Sequence, residues 1–147
     1  MHIQINMTHE SKRVRRECIG LRVRMLSRVV SGIYDDALSD AELKVSQFTV
    51  LSAVMSREKA RPSELAKILA MDESTLSRNV ERMCAKGWLQ LESGKDRRSH
   101  WIKMTEKGMA LLRKAYPCWQ KAQEKVSHRL GPDGVASLES ALRKLQA

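Results

Sequence analysis

The chain has 147 residues, with 27 Lys and Arg against 17 Asp and Glu, and a formal net charge of +10 at pH 7. This length fits one domain that buries roughly two-thirds of its unfolded surface, and the positive excess is typical of proteins that bind polyanions. No apolar run approaches the 18 or so residues of a membrane span. Because the N-terminus also lacks the hydrophobic core of a secretory signal, we expect a cytoplasmic protein with no membrane partner.

The first predicted element is one long amphipathic helix within residues 12–38. Its apolar positions recur at steps of three and four residues, which places them on one face. They are Ile19, Val23, Leu26, Val30 and Ile33. Residues 1–10 are expected to be a mobile or partner-ordered tail. A helix of this length is long enough to span a small domain.

Residues 45–105 carry three shorter helix patterns followed by a hairpin. The first, Val45 to Arg57, is apolar and supports the next two, whose stripes contain Leu65, Ile68 and Leu69, then Leu76, Val80 and Met83. Asp72 precedes the last helix as an N-cap, because its carboxylate can accept from the first free backbone N–H groups. After Gly87 the apolar period changes from that of a helix to the alternation of strands.

The two predicted strands, Trp88 to Glu92 and Ser99 to Met104, are joined by the turn sequence Ser-Gly-Lys-Asp-Arg-Arg. Helix, turn, helix and β-wing in this order is the layout of a winged helix-turn-helix DNA reader. The sequence therefore predicts a mainly α fold with a small β-hairpin wing.

The last of these helices has a polar face opposite its apolar stripe. Arginine can form a bidentate contact with guanine, asparagine with adenine, and serine or threonine can bind phosphate or base edges. We therefore predict that this recognition helix contacts the major groove through Ser74, Thr75, Ser77, Arg78, Asn79 and Arg82. The alternative is a charged face that is merely solvated. The hairpin that follows at once favours DNA binding.

The hairpin tip supplies a second set of candidate DNA contacts, Lys95, Asp96, Arg97 and Arg98. A wing places such residues at the minor groove, whose negative potential attracts arginine. Asp96 is predicted to orient Arg98 by a charge-assisted hydrogen bond, and Lys95 and Arg97 to contact phosphates. The alternative is ordinary polar turn chemistry.

The positive charge extends beyond this region. The first 30 residues contain seven basic and two acidic residues. Arg13, Arg15 and Arg16 either contact the DNA backbone or form a solvated face at the start of the first helix, and the sequence leaves both interpretations open.

Residues 106–146 are predicted to form two C-terminal helices. The first should kink or open at Pro117, and Gly131-Pro132-Asp133-Gly134 should end it, with Pro132 beginning the last helix. Long amphipathic ends around a small reader suggest packing against a second copy. We therefore predict one domain over residues 1–147, in which residues 12–38 and 106–146 are dimerisation helices and residues 45–105 are the winged helix-turn-helix.

The helix pair, the Asp96-Arg97-Arg98 wing and the start of the next helix at Thr105-Glu106-Lys107-Gly108 resemble the MarR family of bacterial and archaeal regulators. The resemblance covers essentially the whole chain and is most specific over Pro62 to Gly108. It implies a homodimer that binds a pseudo-palindromic operator, with the recognition helix in the major groove and a wing arginine in the minor groove. It also implies a repressor that a small aromatic or anionic ligand releases.

In that family the ligand pocket lies between the dimerisation helices and the reader. By position, the resemblance makes Arg24, Phe48 and Trp119 the candidate pocket residues here, and their chemistry suits an aromatic acid. No metal site is expected, because the four histidines have no Cys, Asp or Glu at ligand spacing. There is no glycine-rich phosphate loop either, so the sequence predicts no cofactor.

The three cysteines, Cys18, Cys84 and Cys118, fit a reducing compartment better than a disulfide framework. Cys84 lies beside an apolar stripe and is expected to pack in the core, and Cys118 is undecided. Cys18 has Arg15, Arg16 and Arg22 nearby, which favour the thiolate.

The alternative function is a redox-sensing regulator that uses Cys18, since thiol-sensing members of the family keep a cysteine early in the first helix. The chain departs from their pattern, because Tyr34 is the only tyrosine in that helix. A Cys-dependent enzyme is disfavoured, since no local histidine provides a base, and we expect no enzyme. An architectural DNA-binding dimer without an effector would lack the preference of about 10³-fold or more for one palindrome.

Overall fold

The computed structural model describes residues 7–96 and 100–147 of the chain. The elements in chain order are α1 (Met7–Glu17), α2 (Ile19–Leu38), a 3₁₀ turn (Ser39–Ala41), α3 (Val45–Met55), β1 (Lys59–Ala60), α4 (Pro62–Ile68), α5 (Glu73–Ala85), β2 (Leu89–Ser93), β3 (His100–Met104) and α6 (Glu106–Gln146). α2 packs along α6, and α3, α4, α5 and the strands form a helical layer with a small sheet, which joins the two long helices through α3. The predicted mainly α fold with a β-hairpin wing is confirmed.

The N-terminal region contains two helices, so the prediction of one helix through residues 12–38 is wrong. The break is at Cys18, whose backbone is extended with φ −65° and ψ 110°. Its Sγ accepts from the backbone N–H of Leu21 at 3.4 Å, so the thiol acts as the N-cap of α2. α1 also begins at Met7, which makes the predicted tail four residues too long. Apolar periodicity does not report a one-residue break that has no Gly or Pro.

The core lies under the reader. The fully buried side chains come from the end of α2, from α3, α4 and α5, and from the sheet; they include Leu38, Val50, Leu51, Val54, Leu65, Leu76, Met83 and Ile102. α5 contributes its predicted stripe, Leu76, Val80 and Met83, to this core. α1 contributes no buried residue. The packing therefore fixes α5 on the domain by one face and leaves its opposite face outside.

The sheet has three antiparallel strands in the order β1-β3-β2. The β2–β3 hairpin runs from the pair Leu89–Met104 to the pair Ser93–His100, within one residue of the predicted strands. β1 was not predicted, because two residues carry no alternation that could identify a strand. It adds an edge to β3, with Ala60 opposite Ile102.

The sequence predicted a kink or a local opening at Pro117; the backbone stays helical through this residue, so the helix does not open there. Proline holds φ near the helical value, and the helix is anchored on both sides of it by buried Ala115 and Ala122. The backbone leaves the helical region at Gly131, with φ 69° and ψ 167°, and the helix resumes at Pro132. That boundary agrees with the sequence prediction, since a positive φ favours glycine. α6 thus consists of two helical segments, 106–130 and 132–146.

Several large apolar side chains on these helices lack cover. They belong to α1 and α2, and to the end of α6: Met7, Val14, Ile19, Val23, Met25, Val29, Leu138, Leu142 and Leu145. Across the described ranges, no helix is both long and apolar enough to span a membrane. The uncovered side chains follow one another along the same elements that were predicted to form the dimerisation region.

Candidate nucleic-acid interface

The N-terminus of α5 is capped by Asp72. Its Oδ2 accepts from the backbone N–H of Thr75 at 3.3 Å and from the hydroxyl of Ser74. The Ser74 hydrogen bond, and then the Thr75 backbone bond, hold the pKa of Asp72 below its ordinary value. The Thr75 hydroxyl also lies 3.3 Å from the same oxygen. The predicted cap is therefore present, and two predicted DNA contacts, Ser74 and Thr75, have hydroxyls that hold the cap.

The polar face of α5 is presented to solvent as its periodicity predicted. Among the predicted contacts, Asn79 is half-buried, and the others are exposed: Ser74, Thr75, Ser77, Arg78 and Arg82. The helix is held from behind by Leu76, Val80 and Met83. An exposed polar helix face on a rigid support is the geometry that a major-groove reader requires.

The end of α5, the start of the wing and the start of α6 meet at Thr105. The Thr105 hydroxyl donates to the carbonyl of Gly87 at 2.5 Å and lies 3.0 Å from the carbonyl of Trp88. It also accepts from the backbone N–H of Gly108 at 3.0 Å, which caps α6. Gly87 itself has a φ of 77°, the left-handed value that glycine accepts most readily. These bonds fix the wing and the recognition helix to the long C-terminal helix.

Gly108 shows how close this approach is. A Cβ placed on Gly108 would lie 2.1 Å from the carbonyl oxygen of Trp88 and 2.6 Å from the sulfur of Met104. Only glycine leaves room for the first turn of α6 against the wing. The Thr105-to-Gly108 sequence that suggested a family therefore has a steric reason in this chain.

The wing tip is described up to Asp96. Lys95 and Asp96 are exposed there, beyond the end of β2. Arg97 and Arg98 lie outside the described residues, and so does the predicted pairing of Asp96 with Arg98.

The outer face of the wing sheet holds a group of charged side chains around Trp101, here called the Trp101 patch: Lys59, Arg61, Glu92, Trp101 and Lys103. Lys59 Nζ lies 4.5 Å from the centre of the Trp101 ring, and Arg61 Cζ lies 4.6 Å from it. Lys103 Nζ pairs with Glu92 at 2.5 Å, and this bond holds the pKa of Glu92 below its ordinary value. Sequence reasoning missed the patch, because β1 carries no signal of its own.

Two of the three predicted pocket residues are brought together. The rings of Phe48 and Trp119 stack with their centres 5.8 Å apart and an angle of 16° between their planes, and Tyr116 lies 5.6 Å from Trp119. Phe48 is buried, so this stack joins α3 to α6 as part of the core. Arg24 is exposed on α2 and is not part of this stack.

A cavity of about 260 Å³ lies between α4, α5 and the wing sheet. Its walls include the side chains of Pro62, Ser77, Val80, Leu91 and His100. Because Ser77 is also on the exposed face of α5, this cavity opens beside the candidate DNA contacts.

All three cysteines are free thiols. Burial, and secondly the charge of Glu81, raises the pKa of Cys84, which disfavours its thiolate and agrees with a packing role. Within residues 7–96 and 100–147, no group of three His, Cys, Asp or Glu side chains could hold a metal ion.

A helix-turn-helix followed by a wing, with an exposed polar helix face, defines a winged helix-turn-helix protein. A model of the MarR family matches residues 41–99. The multiple antibiotic resistance protein MarR of Escherichia coli is 28% identical over 129 residues, covering 86% of this chain and 90% of that protein. The transcriptional repressor NicR of Pseudomonas putida is 29% identical over 130 residues, covering 88% of this chain and 82% of NicR.

The fold gives the same result. The crystal structure of a mutant of E. coli MarR complexed with operator DNA has a TM-score of 0.80 and 26% identity, covering 92% of this chain and 98% of that one. Together these matches support a MarR-family winged helix-turn-helix regulator.

Proposed function

We propose that the chain is a homodimeric repressor that binds a pseudo-palindromic operator. A small molecule would release the repressor from this DNA. The observation that carries the proposal is the exposed polar face of α5, held on a buried stripe directly before a basic wing. The similarity to a MarR structure complexed with operator DNA supports the same conclusion.

Recognition of bases is assigned to the middle of α5. The hydroxyls of Ser74 and Thr75 hold the Asp72 cap. These two residues therefore contribute to DNA binding through the N-terminus of α5, whose partial positive charge favours a phosphate. Base reading then belongs to Ser77, Arg78, Asn79 and Arg82, with Arg78 suited to guanine and Asn79 to adenine.

The wing provides the second contact. Lys95 to Arg98 would approach the minor groove, where arginine is attracted by the negative potential and lysine binds phosphate. Asp96 keeps its proposed role as the residue that orients Arg98.

Dimerisation explains the uncovered apolar side chains of α1, α2 and the 132–146 segment of α6. Packing two copies through these elements would remove those side chains from water, at about 25 cal/mol per Å² of apolar surface. A twofold dimer also places two α5 helices about one DNA turn apart, roughly 34–36 Å, which suits a palindrome.

The effector is proposed to be a small aromatic or anionic molecule. The original candidates remain Arg24, Phe48 and Trp119, but the packing of Phe48 against Trp119 favours a core role for the two rings. The cavity between α4, α5 and the wing is a better place for an aromatic ligand, because its lining is mostly apolar and includes Ser77; the carboxylate of Glu81, also in the lining, disfavours an anion there. A ligand there would compete directly with DNA.

The alternative function remains a redox-sensing regulator that uses Cys18. One observation favours it: the Cys18 Sγ caps α2 by accepting from Leu21, so oxidation of the thiol would act on a helix start. The first function is preferred, because a capping sulfur already has a structural role.

Selection of operators from a random duplex library tests the function. We expect one palindromic site, bound at least about 10³-fold more tightly than random DNA. Arg78→Ala should relax base preference at one position in each half-site, whereas Lys95→Ala should weaken all duplexes alike. Equal binding of selected and random duplexes by the wild type would contradict the proposal.

A further inference from the structure

Two cations on the outer face of the wing sheet share one indole ring. Ala60 on β1 pairs with Ile102 on β3, and both are fully buried. Because side chains alternate along a strand, Lys59, Arg61 and Trp101 point to the opposite, outer face. The ring centre of Trp101 is then 4.5 Å from Lys59 Nζ and 4.6 Å from Arg61 Cζ. These distances are cation–π contacts.

The Trp101 patch has more positive than negative charge. Within the patch, Lys59, Arg61 and Lys103 outnumber one carboxylate, that of Glu92, which Lys103 binds at 2.5 Å. Both side chains of this pair, Lys103 and Glu92, are partly exposed, so solvent weakens the interaction between their charges. The adjoining recess adds one charge of each sign, Lys95 and Asp96, so the excess stays positive. The patch as a whole therefore favours an anion.

Two like charges gathered on one ring are ordered before any ligand arrives. Lysine and arginine lose much side-chain entropy when a ligand fixes them, and contacts that fix them beforehand reduce that cost of binding. Trp101 supplies such contacts on one side of each cation and leaves their remaining donors to solvent, since Lys59 and Arg61 are both exposed.

The patch is continuous with the wing tip. A recess of about 500 Å³ is lined by Lys59, Arg61 and Trp101 together with residues 92–96. A polyanion that contacts Lys95 at the tip is therefore adjacent to the two cations on β1 and at the start of α4.

We propose that Lys59 and Arg61, held in place by Trp101, bind phosphates of the DNA backbone beside the wing. The interface then extends from α5 and the wing tip onto β1. Arginine suits a bidentate contact with a phosphate and lysine a single point contact. Trp101 is a positioning residue that acts through the two cations. This inference rests on the DNA binding proposed above and names a further part of that surface.

Salt titration of DNA binding tests the two cations. Each phosphate contact releases about 0.9 counterion, so Lys59→Ala and Arg61→Ala should each lower the slope of log K against log salt by about one unit. Each should weaken binding roughly 5- to 10-fold at 0.1 M salt. Random and selected duplexes should be affected equally, because phosphate contacts carry no base preference. Lys125→Ala, at an exposed site on α6, is the matched loss of one lysine charge and should leave the slope unchanged.

Trp101 needs a readout that a purely structural role would not change. Trp101→Leu should weaken DNA binding and lower the salt slope in the otherwise wild-type protein. The same change should have no such effect in the Lys59→Ala/Arg61→Ala background. Trp101→Phe, which keeps a ring, should bind DNA more tightly than Trp101→Leu and less tightly than the wild type. Thermal unfolding of each variant identifies loss of structure. If Trp101→Leu unfolds, the comparison of wild type with Trp101→Phe still decides, since a weaker ring should give a smaller salt slope.

The possible outcomes distinguish a failure of this phosphate-contact proposal from a failure of the proposed DNA-binding function. A wild-type protein that binds no duplex overturns both. Normal operator binding with the same slope in Lys59→Ala, Arg61→Ala and Lys125→Ala overturns this inference alone. A stabilising shift by benzoate that disappears in the Lys59→Ala/Arg61→Ala variant, with an unchanged salt slope, would also overturn it, because the patch would then be an effector site.

Discussion

The first turn of α6 leaves no room for a side chain at Gly108, and Gly108→Ala is therefore expected to destabilise the fold strongly. The new Cβ would lie 2.1 Å from the Trp88 carbonyl oxygen, where an ordinary contact needs about 3.5 Å. That oxygen cannot move freely, because it accepts from the backbone N–H of Thr105 at 3.1 Å. The helix start or the wing must shift by about an ångström, which places the change at the upper end of overpacking effects, about 3 kcal/mol.

Thermal unfolding followed by circular dichroism measures this effect. For a chain of this size a loss of about 3 kcal/mol lowers Tm by roughly 6–12 °C. Protein concentration must be the same in every sample, because association changes the apparent Tm. Gly32→Ala in α2 is the matched control, since a Cβ there meets nothing within 4 Å, and its expected change is up to about 1 kcal/mol of stabilisation. A Gly108→Ala protein that melts with the wild type would refute the steric argument.

Three further predictions concern the cap, the dimer and the thiol. The pKa of Asp72 is lowered in the folded state, so its charge stabilises the fold above the ordinary pKa and loses this effect as pH falls. Asp72→Asn should therefore lower Tm at pH 7, and the difference from the wild type should shrink as pH falls below the ordinary pKa of aspartate; a constant difference would refute this. Deleting Gly131 to Ala147 should abolish the dimer and tight operator binding together, and light scattering that still finds a dimer would contradict the assembly. Peroxide should leave DNA binding unchanged in wild type and in Cys18→Ser, and a loss seen only in wild type would make the redox function correct.

The recognition helix could be predicted from sequence because its signals are local. Asp72 precedes an apolar stripe at helical spacing, and the change of period after Gly87 marks the wing. The boundary at Gly131 followed from a positive-φ residue beside a proline. In each case the residue type itself imposes the local conformation, so no knowledge of distant packing was needed.

Other features had no clear signal in the local sequence. Cys18 interrupts the first helix with a sulfur cap, although cysteine is not a preferred capping residue and the apolar period continues across it. The Trp101 patch requires β1 to pair with β3, which brings Lys59 and Arg61 to a tryptophan far along the chain. At Pro117 the helix continues without opening, although the residue type alone favours an interruption.

The hydroxyl of Thr105 joins the end of α5, the base of the wing and the start of α6 within a single set of hydrogen bonds. These hydrogen bonds fix the three parts to one another. In a dimer of this chain, the distance between the two reading heads would be set by how the long helices cross, far from any base contact. Substitutions along α1, α2 or the end of α6 could thus change the half-site spacing that is accepted and leave the preferred bases of each half-site as they were. Separate sets of residues would therefore determine the half-site spacing and the base preference.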